Sequence, residues 1–125
     1  MPLTFIIDKK AGVIYQTIKG SITTKELLKH FSNIYQHSDY KPGLKSLTDM
    51  REVEPSSFKE DVDTISGFIE NYSDNIGPLK IAITVSQDTS YGMLRMLQVY
   101  LTNTQIEMEI FRDIEKARKW LVIDN

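Results

Sequence analysis

The sequence predicts one α/β domain: a five-stranded mixed sheet, first strand antiparallel and the rest parallel, with helices mainly on one face. Three observations carry this expectation. Short β-rich segments alternate apolar and polar residues at period two, the segments between them repeat apolar residues at helical spacing, and polar caps mark where the helices begin. At 125 residues and 41% hydrophobic, the chain 1–125 has material for a single core and none for a second domain.

Taken in order, Leu3 to Asp8 reads as the first strand and Val13 to Lys19 as the second. The intervening Asp8-Lys9-Lys10-Ala11-Gly12 has hairpin length and a glycine able to take positive φ, so the pair is antiparallel. Thr23-Thr24-Lys25-Glu26 is a capping box, and Leu27, Leu28, Phe31, Ile34 and Tyr35 form the apolar stripe of a helix ending near His37. Leu44 to Met50 is the third strand. Ser57-Phe58-Lys59-Glu60 repeats the capping box ahead of a helix carrying Phe58, Val62, Ile65, Ile69 and Tyr72, which Asn75-Ile76-Gly77-Pro78 stops. Lys80 to Val85 is the fourth strand, and Tyr91 to Thr102 a helix burying Met93, Leu94, Leu97, Tyr100 and Leu101. Ile106 to Phe111 alternates strictly as a fifth strand, and Asp113 caps a last helix with Ile114, Ala117, Trp120 and Leu121 inward.

The strand alternation says how the sheet is covered. A sheet roofed on both sides shows near-continuous apolar strands, because both faces are buried. Here Ile81, Ile83 and Val85 oppose Lys80, Ala82 and Thr84, Ile106, Met108 and Ile110 oppose Glu107 and Glu109, and Leu47 sits between Ser46 and Thr48. The expectation is an apolar face stacked with every helix but at most one. The second face, with Ser46, Thr48, Ala82, Thr84, Tyr15 and Thr17, is then only partly covered.

Composition narrows function. Fifteen basic against seventeen acidic residues give a net charge of -2, which argues against nucleic acid and anionic membrane as partners. There is no cysteine, hence no disulfide, thiolate chemistry or Cys-type zinc site. The N-terminal Met1-Pro2-Leu3-Thr4-Phe5 runs straight into Asp8-Lys9-Lys10, leaving no apolar signal core, so the expected location is cytoplasmic.

In an open α/β sheet, ligands gather at the carboxyl ends of the parallel strands. That edge collects Asp49, Arg51, Ser56 and Ser57 after the third strand and Ser86, Asp88 and Ser90 after the fourth, with Arg95 farther along the helix. Helix N-termini could hold an anion there, assisted by Arg51 or Arg95. Against this, capping is the commonest work of such Ser and Asp residues, Asp49 and Asp88 repel an anion, and no Gly-rich phosphate loop is present. His30 and His37, seven apart, stand about 10 Å apart along a helix, too far to share a metal, and both fall beside the apolar stripe. Met93, Met96 and Met108 read as core filling or as the lining of an apolar ligand pocket. Gly92 near the start of a helix eases the turn or permits a close backbone approach.

From Tyr91-Gly92-Met93-Leu94-Arg95-Met96 to the end, the chain resembles the SpoIIAA-like family of the STAS superfamily, the fold of anti-sigma-factor antagonists and of sulfate-transporter cytoplasmic domains. The family's ending, Phe-Arg-Asp then Glu-x-Ala-x-x-Trp-Leu, is matched at Phe111 to Leu121, and Leu47-Thr48-Asp49-Met50-Arg51 resembles its strand ending in aspartate. The resemblance implies a βα superhelix with sequential strands adjacent. In the anti-sigma antagonists a serine in an Asp-Ser-Ser-Gly motif is phosphorylated. Ser56 and Ser57 match its serines, whereas Glu54-Pro55 and Phe58 depart from its flanks, which places recognition by such a kinase in doubt.

The leading expectation is a non-enzymatic regulatory or protein-interaction domain, acting on a protein partner or on itself as a homodimer, with no cofactor and no metal. The alternative is a carrier or sensor of a small apolar or amphipathic ligand, since the fold is also similar to CRAL-TRIO lipid-carrying domains. A catalytic role comes third, because no nucleophile, base and acid stand at a telling spacing.

Overall fold

A computed structural model describes residues 2–54 and 61–123. The element order is β1 (Leu3–Asp8), β2 (Val13–Ile18), α1 (Thr24–Tyr35), β3 (Lys45–Asp49), α2 (Val62–Asn71), α3 (Ser73–Ile76), β4 (Leu79–Thr84), α4 (Asp88–Tyr100), β5 (Ile106–Phe111) and α5 (Ile114–Leu121). The strands lie side by side in chain order, β1 antiparallel to β2 and every later pair parallel. This is the mixed sheet expected from the sequence.

Local chemistry explains the ends of these elements. The Thr23 hydroxyl accepts from the Glu26 amide at 3.1 Å while the Glu26 carboxylate accepts from the Thr23 amide, also at 3.1 Å, a complete capping box for α1. Asp113 caps α5 by accepting from the Glu115 amide at 2.8 Å. Helix α4 opens three residues earlier than its apolar spacing indicates, at Asp88, which places Gly92 in its second turn. The second capping box, Ser57 to Glu60, lies outside the described residues, as does Phe58. Past α2 the chain makes one further helical turn, α3, before Gly77 turns it with φ 66° into β4. A Cβ at Gly77 would stand 2.6 Å from Cβ of Pro42, so this turn excludes any side chain. The Tyr40 phenol fastens the same corner by donating to the Ile76 carbonyl at 2.7 Å, and burial raises its pKa to about 12.

The two faces are covered unequally. Helices α1, α2 and α4 pack over Ile14, Ile18, Ile83, Ile106, Met108 and Ile110 to form the main core. On the opposite face, α5 is the one described helix that lies across β3, β4 and β5, with Leu47, Ala82, Ala117 and Leu121 buried between them. Lys80 reaches over the Trp120 ring, 4.4 Å from its centre, and donates to the Trp120 carbonyl at 3.1 Å. A lysine there complements the negative end of the α5 dipole. Toward β1 this face is open, and Ile6 is 69% exposed on it.

Register corrects one expectation. Leu47 pairs with Ala82, and Ser46 and Thr48 pair with Ile81 and Ile83, so the two hydroxyl residues lie on the three-helix face and not on the partly covered one. Tyr15 and Thr17, in register with Leu47 and Asp49, do lie on the α5 side.

Candidate functional site

Placing Ser46 and Thr48 under three helices puts polar groups in the main core, and buried polar groups require partners. Gln16 of β2 provides them. Its Nε2 donates to Ser46 Oγ at 2.8 Å, and Ser46 Oγ lies 3.2 Å from Thr48 Oγ1. On the other side, Gln16 Oε1 meets His30 Nε2 of α1 at 3.0 Å. All four residues are buried. Because an amide oxygen only accepts, His30 must donate through Nε2. Burial lowers the His30 pKa, which keeps the ring neutral at pH 7.

His30, which its spacing set beside the apolar stripe, is therefore buried within the core. It stands three residues after Leu27 and four before Ile34, both buried, and shares their stripe. Its outer side borders a shallow groove with Pro2, Leu3, Glu26, Lys29 and Asn33.

This network ends at a cavity of about 60 Å³ between the sheet and the helices. Gln16 and Thr48 stand at its polar part, and Ile65, Met93, Leu97 and Met108 are among the apolar side chains around it. Tyr35 also borders it, its phenol held neutral because burial and then Tyr40 raise its pKa. None of the described residues around this cavity carries a charge. Met93 and Met108 thus take the pocket position that the sequence allowed them, and Met96 faces outward.

The strand-end edge proposed from the sequence is assembled differently. Arg51 forms a two-point pair with Asp49, Nε to Oδ1 at 3.0 Å and Nη2 to Oδ2 at 2.8 Å, and these hydrogen bonds hold the Asp49 carboxyl below its usual range. Ser86 joins them by donating to the Arg51 carbonyl at 2.6 Å. Asp88 pairs with Arg112, whose guanidinium lies over the Tyr91 ring. Ser90 is turned into the protein, and its hydroxyl has no hydrogen-bond partner among the described residues. Arg95 does not reach this edge. It lies along the outward side of α4, bonded to Gln98 at 2.7 Å. Ser56 and Ser57 lie outside the described residues. Both described arginines of the edge are already matched with a carboxylate, which weakens the case for an anion there.

Among the described residues, no three His, Asp or Glu side chains are grouped as a metal site. No described helix is long and apolar enough to cross a membrane. Compared with protein-family models, with curated proteins and with solved structures, the chain matches none.

Proposed function

We propose that this chain is a binding domain rather than an enzyme, and that it carries or senses a small, neutral, amphipathic ligand in the cavity under α1, α2 and α4. The single observation that carries this reading is an apolar pocket bordered by two uncharged polar side chains, Gln16 and Thr48, each held by Ser46. In its described contacts the Gln16 amide uses one N–H, toward Ser46, and keeps the other for an acceptor such as an ether, ester or hydroxyl oxygen. A carboxylate head is disfavoured, because none of the described residues around the cavity is a cation that would offset its desolvation. Size sets a further limit. An apolar cavity of about 150 Å³ takes benzene, so the present void holds a shorter group unless α2 and α4 part around it.

The SpoIIAA-like resemblance belongs to the same proposal. Adjacent strands in chain order, one antiparallel edge strand and, among the described residues, a single helix on the second face support it. A regulatory role then consists of coupling cavity occupancy to a contact made elsewhere on the surface.

Native mass spectrometry of the purified protein and thermal melts with n-butanol and with butyrate test the binding reading. A co-purifying molecule, or a saturable rise in Tm with butanol that Leu97→Phe abolishes, is the expected result. Equal responses to butanol and butyrate, or none to either with no bound molecule, would remove it.

A further inference from the structure

The two edges of the sheet are finished differently. On β5 the parallel ladder turns the backbone groups of Ile106, Met108 and Ile110 away from β4. The chain's own side chains meet them there. The Thr104 hydroxyl accepts from the Ile106 amide, Gln98 of α4 donates to the Met108 carbonyl, and the Glu109 carboxylate accepts from the Ile110 amide. On β1 the Lys19 amide donates to the Pro2 carbonyl at 2.9 Å, so Pro2, Thr4, Ile6 and Asp8 carry the bonds to β2. The N–H and C=O groups of Leu3, Phe5 and Ile7 therefore point outward, and none of them has a partner among the described residues. A proline can blunt an edge, but Pro2 stands at an inward-bonded position and leaves the outer side intact.

A row of unmet N–H and C=O groups accepts one kind of occupant, an extended strand. Register says which strand fits. An antiparallel copy of β1 centred on Phe5 sets Leu3 against Ile7 of the copy, Phe5 against Phe5 of the copy, and Ile7 against Leu3 of the copy. Each of these pairs exchanges both hydrogen bonds, so every outward group of the strand is met. A shift of two residues either way sets one of the three against a residue beyond the end of the strand. On the helix side the paired side chains are all apolar and half-buried against the main core. On the other side Thr4 meets Ile6 of the copy, which covers a side chain 69% exposed in the single chain. Asp8 falls opposite Pro2, so no charged side chain faces another. Beside Leu3, a groove bordered by Lys29 and His30 of α1 lies where Ile7 of the copy is set. The finished β5 edge makes this contact a closed one. Pairing of β1 with β5 would repeat from copy to copy, whereas pairing of β1 with β1 stops at two.

We propose that β1 pairs antiparallel with β1 of a second copy about a two-fold axis at Phe5, so that one sheet runs through both chains. This inference does not depend on a ligand in the cavity.

Sedimentation velocity from low micromolar to near-millimolar protein, with amide hydrogen exchange at both ends of that range, tests it on the full chain. The chain shifts from monomer to dimer, and the Leu3, Phe5 and Ile7 amides exchange more slowly as it does. Thr4 and Ile6 are both exposed, so charges placed there leave the far-UV spectrum unchanged. Thr4→Lys with Ile6→Lys sets like charges directly opposite and weakens association at least ~tenfold relative to Thr4→Lys with Ile6→Glu, which sets opposite charges there. A monomer at every concentration overturns the proposal and leaves the edge to a strand of a different protein. A dimer in which those three amides gain no protection, or in which the two double variants associate equally, overturns it as well.

Discussion

The two faces of the sheet solve the same burial problem with different materials. Under α5, small and medium residues close against each other: Ala82, Ala117 and Leu121 are each 0% exposed, and the charged neighbour Lys80 is led out to the helix end. Under α1, α2 and α4 the residues are larger, yet packing is incomplete, and a four-residue polar network lies beside the void. More cover does not mean tighter cover. One helix on three strands can be fitted closely, while three helices converging on five strands leave a space at their meeting point.

The largest contrast comes from truncation. Leu121→Ala removes a fully buried side chain from the tight face and should cost about 3 kcal/mol in chemical denaturation. A loss under ~1 kcal/mol would mean that α5 is not a structural cover.

On the other face, Gln16→Leu strips Ser46 and His30 of their shared partner and should cost about 2 kcal/mol, because donors and acceptors are left buried and unmet. The same network titrates. Burial lowers the His30 pKa from 6.5, so the unfolded chain takes up a proton before the folded one does. The stability from this group is full above that ordinary value and declines as pH falls below it toward the depressed folded value. Denaturation near pH ~7.5 and pH ~5.5 should show the decline in the parent chain. His30→Gln, which keeps a donor toward Gln16 without a titrating ring, should show less of it.

Enlargement separates the faces in sign. Ala82→Val inserts volume where none is free and should cost about 1.5 kcal/mol. Leu97→Phe grows toward the void and should leave stability within ~1 kcal/mol of the parent or raise it. Equal penalties for both would erase the distinction. The smallest effect touches neither face: Gly92→Ala meets nothing within 4 Å and sits in a helix interior, so it should raise stability by about 0.8 kcal/mol.

Adjacency of the strands in chain order was only what the family resemblance implied, whereas the antiparallel first pair and the caps at Thr23 and Asp113 were legible because each rests on local chemistry. Strand assignments fell within a residue or two of the observed ends for the same reason. The face of Ser46 and Thr48 was not legible. Alternation says that neighbours point apart, but only pairing with β4 says which of them points toward which helices, and Leu47 belongs to α5. The place of His30 is consistent with its spacing of three from Leu27 and four from Ile34. Gln16 carried no local signal, since its importance comes from partners 14 and 30 residues away. Asp49, Arg51 and Ser86 stand together at the strand ends, yet their electrostatics depended on which acid met which base, and spacing does not fix that.

Methyl-resolved NMR during titration with n-butanol examines the difference between the faces at the level of single side chains. Met93, Met108 and Ile65 should shift together and saturate, while Ala82, Ala117 and Leu121 stay in place. Shifts of equal size under α5, or no saturable response from the methionines, would contradict a binding cavity on the three-helix side.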